Sequence, residues 1–262
     1  ILVVNMTFVE FGELAWSNEA LWFTPAVLRH RVGMEMLGQY SRALTVIMQR
    51  MLAGPNGMFT TGLAMDLGFS QPVSLYAEVS HVLADGEGLE QWLQWRGASS
   101  IKPCPRHWNM VPCRTNLLEF DESRTYRDIS CADTAQMRAY TCEDYKELAR
   151  SLVAARAGAR TKAELEKVLK ASGFNCCKDG FLYAFAQGLV PGIKPSRAIT
   201  VDFMHSFLQD GVVTDEMLLV VNAASVNPKD LQSFLKDESW KWPSHFQQKD
   251  KQLWHMFDPK RS

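Results

Sequence analysis

SLYAEVSHVLADGEGLEQWLQWRGASSIKPCPRHWNM, residues 74–110, carries the pattern from which an α/β fold is expected. It starts as an apolar strand pattern and reaches Asp85, where that pattern stops. Residues 87–95 then read as a short helix that closes near Gly97. The stretch ends in Lys102-Pro103-Cys104-Pro105-Arg106-His107. A strand that runs through an acid into a helix is an α/β unit, and ligands in α/β folds gather at the carboxyl ends of sheet strands. Asp85 then has two readings. Its carboxylate either joins other carboxylates around one or two Mg²⁺ ions, or it caps the helix that begins beside Glu87.

Working outward, residues 1–11 carry β-branched and aromatic side chains densely enough for a largely buried strand. Thr24-Pro25 reads as a helix start, with a hydroxyl at the cap and proline where its missing N–H costs nothing. The apolar positions then recur at three- and four-residue steps to about Leu52, and Gly54-Pro55-Asn56-Gly57 ends the run. Residues 58–67 and 73–84 are strand candidates.

From residue 99 to about 141 the prolines, cysteines and mixed charges lack clean periodicity, as suits an insertion held by something other than a large core. Helical patterning returns at 142–157. Residues 161–172 (TKAELEKVLKAS) form the cleanest amphipathic helix, with Thr161 and Glu164 as a capping box and Gly173 as the stop. Residues 188–195 read as a loop. Residues 201–209 and 214–224 read as helices, with another starting at Asn227-Pro228 and a Trp- and Lys-rich tail from Ser239. This gives a partial core at 1–98, an insertion at 99–200 and C-terminal helices with a tail at 201–262.

The totals narrow the class. Hydrophobic residues at 47% and charged residues at 22% are ordinary for a water-soluble protein, and no apolar run reaches the ~18 residues of a membrane span. Ile1 opens directly into a strand-like run, which predicts a piece of a longer polypeptide. A formal net charge of −1 leaves nucleic-acid binding to a local basic face. Six cysteines in 262 residues are too sparse for a disulfide-stapled domain and predict reduced thiols inside a cell. No P-loop, Gly-x-Gly-x-x-Gly, Gly-x-Ser-x-Gly or His-Glu-x-x-His occurs, so nucleotide cofactors and serine-hydrolase chemistry have no foothold.

Cys104 and His107 have the spacing of half a zinc site, with Cys113, Cys131, Cys142, Cys176, Cys177 and His205 as possible completers. The alternative is a buried free cysteine beside a surface histidine. Adjacent Cys176 and Cys177 suit core packing better than chelation. Asp202 and His205 fall on one face of a helix and suit either a site or a hydrogen-bonded pair.

Taken together, LWFT (21–24), LADGEGLEQWLQWRGASSIKPC (83–104), VDFMH (201–205) and Asp210-Gly211 resemble eukaryotic DDE-type transposase-like proteins related to the Plavaka and CACTA elements. The resemblance covers about two thirds of the chain in outline. It implies an RNase H-like mixed sheet flanked by helices, with a Cys/His-containing insertion and a helical C-terminal part. It further implies metal-dependent cutting and joining of DNA by Mg²⁺ or Mn²⁺, with DNA as partner and the nucleus as location.

Asp85 matches the second acidic position. Cys104 matches the first cysteine of a pair, His107 stands where the second would be, and His205 matches a later helical histidine. The first acid would lie upstream of Ile1, and Glu216 and Glu238 are candidates by position for the last. A chain without a complete acidic triad is expected to be inactive alone. The alternatives are a non-catalytic DNA-binding or protein-interaction module and an unrelated α/β domain with structural Cys and His.

Overall fold

The structure, a computed structural model, describes residues 2–11, 18, 20, 22–66, 68, 70–112, 118, 121, 123, 125–131, 133–201 and 219. The chain divides into two units, Ile1–Thr200 and Val201–Ser262, and the first holds nearly all the described residues. Apart from Val201, which lies in a strand, and Leu219, the helices expected from residue 201 onward, with His205, Glu216 and Glu238, lie outside the described residues, as does Cys113.

Helices and small sheets build the first unit, an α/β fold in the broad sense. Strand β1 (Leu2–Met6) pairs antiparallel with β2 (Phe23–Leu28), so Thr24-Pro25 lies in a strand and does not start a helix. The register slips between Val4 and Met6, opposite the proline, where a missing N–H removes nothing from a regular ladder. The Thr24 hydroxyl donates to Asn5 Oδ1 at 2.8 Å instead of capping a helix. A non-local partner for residues 23–28 has overridden a local start signal.

The single helix expected to follow is two, α1 (His30–Glu35) and α2 (Gln39–Leu52). Gly38 breaks it. Its φ is +79°, and a Cβ there would stand 2.7 Å from the Asp179 carbonyl oxygen, so both backbone shape and space demand glycine.

Strands β3 (Leu63–Met65) and β4 (Val73–Leu75) form a second antiparallel pair. Strand β5 (Val82–Ala84) leads through Asp85 into α3 (Gly86–Leu93). Strands β6 (Met110–Val111) and β7 (Arg127–Asp128) run parallel. Then come α4 (Cys142–Gly158), α5 (Lys162–Ser172), α6 (Phe181–Ala186), α7 (Pro195–Ala198) and β8 (Ile199–Val201), whose partner is β5. The described strands pair two by two, in four sheets.

One apolar core joins residues from both sides of position 99. Met48 and Leu52 of α2, Leu89, Trp92 and Leu93 of α3, Tyr145 and Leu152 of α4, and Phe181 and Phe185 of α6 are all buried within it. Residues 99–200 therefore contribute α4 and α6 to the same core as α2 and α3. Burial of the large side chains supplies most of the stability at ~1.5–3 kcal/mol each.

A buried hydroxyl fixes how these helices meet. Ser41 of α2 donates to the Trp92 carbonyl at 2.6 Å and accepts from the Phe181 amide at 2.8 Å. It therefore satisfies the last turn of α3 and, from another element, the first N–H of α6, whose own cap Gly180 has no side chain to offer.

Caps set the longer helices. Thr141 and Asp144 form a reciprocal capping box on α4. At α5, Thr161 accepts from the Glu164 amide at 3.1 Å, but Glu164 accepts from the Arg160 amide and not from Thr161, so the expected box is only half made. Gly173, at φ +77°, ends α5 as its sequence position predicts.

Candidate functional site

Asp85 follows the last residue of β5 and is the N-cap of α3, with φ −67° and ψ 178°. Its Oδ1 accepts from the Gly88 amide at 2.6 Å, and its carbonyl accepts from Leu89 at 3.0 Å. Glu87 in the first turn adds negative charge where the helix dipole favours it, and Gln91 donates to it at 2.8 Å. The carboxylate thus does the work of a cap, and one oxygen is already committed to it.

Residues 95–109 cross from α3 to the Cys/His segment and are tied down at every turn. Gln94 ends α3 in the left-handed region at φ +55°. It is held there by the Asn175 amide on its carbonyl at 2.6 Å and the Cys177 amide on its Oε1 at 3.1 Å. The Trp95 indole N–H donates to the Lys102 carbonyl at 2.8 Å, and the Tyr145 hydroxyl donates to the Pro105 carbonyl. A short backbone ladder comes next: Tyr140 donates to Arg106 at 2.8 Å and Trp108 to Arg138 at 3.0 Å, with His107 bridged to Ala139 between them.

Within this tethered turn Cys104 Sγ lies 3.2 Å from His107 Nδ1, and both side chains are half-buried. Burial, and then the neighbouring Arg106 guanidinium, hold the His107 imidazole below its usual range. A neutral imidazole is the form that ligates metal. Zinc with ~2.3 Å to sulfur and ~2.0 Å to nitrogen at a tetrahedral angle sets its ligands ~3.5 Å apart, so a slight opening of this hydrogen bond fits one edge of such a site.

The structure brings together Cys104 and His107 of the four expected metal ligands, while Cys113 and His205 lie outside the described residues. The other described cysteines are engaged elsewhere. Cys131 donates to the Asp133 carbonyl, Cys142 meets the Ser196 hydroxyl at 3.0 Å, and Cys177 accepts from Gln94. Cys176 is fully buried, the packing role its sequence position suggested. Among the described residues no group of three or more His, Cys, Asp or Glu side chains could hold a metal ion.

Two residues of this segment have roles in the fold that the sequence did not mark. Lys102 is buried, with its ammonium donating to the Trp108 carbonyl at 2.5 Å and lying 4.3 Å from the Tyr126 ring centroid. Burial pushes its amine down to about 8. Asn109, also buried, donates from Nδ2 to the carbonyls of Thr125 and Gln136 and accepts from the Arg138 amide at 2.7 Å. Its placement between a tryptophan and a strand gave no polar signal; a lysine between Ile101 and Pro103 was the one available hint of burial.

By its elements and their pairing the chain belongs to the α/β class in its general sense. Compared with known protein families, curated proteins and solved structures, it matches none. Among the described residues no helix is long and apolar enough to cross a membrane.

Proposed function

We propose that this chain is DDE transposase-like, RNase H-like by descent, and binds DNA without cutting it. The observation that supports this reading is an order of parts. Strand β5, Asp85, helix α3 and the tethered Cys104–His107 turn follow one another as the resemblance requires. The non-catalytic half of the reading draws on Asp85, whose Oδ1 is bonded to the Gly88 amide as a helix cap. A carboxylate so engaged, with no metal-holding group of three acidic, His or Cys side chains among the described residues, supports binding without the metal pair of phosphodiester chemistry.

Cys104 and His107 serve in this reading as two ligands of a structural Zn²⁺ that steadies residues 99–141. The protein acts in the nucleus, where its DNA partner is. The test is duplex binding across a salt series, alongside strand cleavage with Mg²⁺ or Mn²⁺. The expected result is an affinity that falls steeply with salt and is unchanged in Asp85→Ala, with no cleavage. Metal-dependent nicking lost in Asp85→Asn would restore the catalytic reading. No association with duplex at low salt would leave a protein-interaction module or an unrelated α/β domain with structural Cys and His.

A further inference from the structure

We draw no further inference here: the strongest candidate, the apolar face that Leu63, Met65, Val73 and Leu75 share on the β3–β4 hairpin, is left exposed at three of its four positions, and nothing in the structure shows what covers it.

Discussion

Replacing Lys102 by methionine tests how the Cys/His segment is held. The ammonium is buried with one carbonyl acceptor and one aromatic face, and no carboxylate among the described residues pairs with it. Burial lowers the amine from 10.5 to about 8, because the charged form loses hydration that a single carbonyl and a ring do not replace. The folded protein therefore carries fewer protons than the unfolded chain between pH 8 and 10.5, and stability rises with pH across that window. The full difference corresponds to ~3 kcal/mol at 1.36 kcal/mol per pKa unit, and local relaxation and water entry reduce it to about 1–2 kcal/mol.

Lys102→Met removes this dependence. It also removes the bond to Trp108 and the contact with Tyr126, together worth about 1–2 kcal/mol, so at pH 7 the variant is expected within about 1 kcal/mol of the wild type. The Cys176 thiol works in the opposite direction. Burial raises it from 9.0 to about 12, so its contribution is lost as pH climbs above 9. That loss is common to both proteins and cancels in their difference. The assay is urea unfolding of both proteins at several pH values from 7 to 10. The wild type should gain on the variant by about 1–2 kcal/mol over this range. Parallel profiles would refute the reasoning, because they would mean that Lys102 titrates as an exposed amine does.

Three further outcomes are expected. Ser41→Ala leaves the Trp92 carbonyl and the Phe181 amide without their buried partner, which should cost about 2–4 kcal/mol in denaturant unfolding; a cost under about 1 kcal/mol would mean that water replaces the hydroxyl. Asn109→Asp turns two donated bonds into oxygen–oxygen contacts with the Thr125 and Gln136 carbonyls, so hydrogen exchange at 125–138 should speed up while α2 and α6 stay protected. Gly180→Ala places a Cβ 2.1 Å from Gln94 Oε1, which must swing away and release the Cys177 amide. A loss of about 1–3 kcal/mol is predicted, and an unchanged unfolding midpoint would show that Gln94 contributes nothing there.

Much of the local structure was legible because the residues that mark it act on their nearest neighbours. Gly173 ends α5, Gly54-Pro55-Asn56-Gly57 follows α2, and Asp85 stands between a strand and a helix, all by short-range signals. Thr24-Pro25 misled for the opposite reason. Its strand depends on pairing with residues 2–6, a contact that no local pattern encodes. Six-residue α6 is too short to show a helical period and exists because Ser41 and the core receive it.

In the site, Cys104 and His107 were readable because three-residue spacing lets one turn aim both at one point. Lys102 and Asn109 were not, because their roles depend on the carbonyls of Trp108, Thr125 and Gln136 that folding brings to them. Asp85 carried two meanings in the sequence, and the Gly88 amide supplies the one seen in the fold.

The most direct measurement is the thermal unfolding of wild type, Asp85→Asn and Asp85→Ala, each with and without Mn²⁺. Asparagine caps a helix about as well as aspartate but is a poor ligand for a hard cation, so the three proteins separate capping from metal binding. The account predicts that Asp85→Asn melts with the wild type, that Asp85→Ala loses ~0.5–2 kcal/mol, and that Mn²⁺ shifts none of them. A rise in melting temperature with Mn²⁺ in the wild type alone, absent from Asp85→Asn, would contradict it.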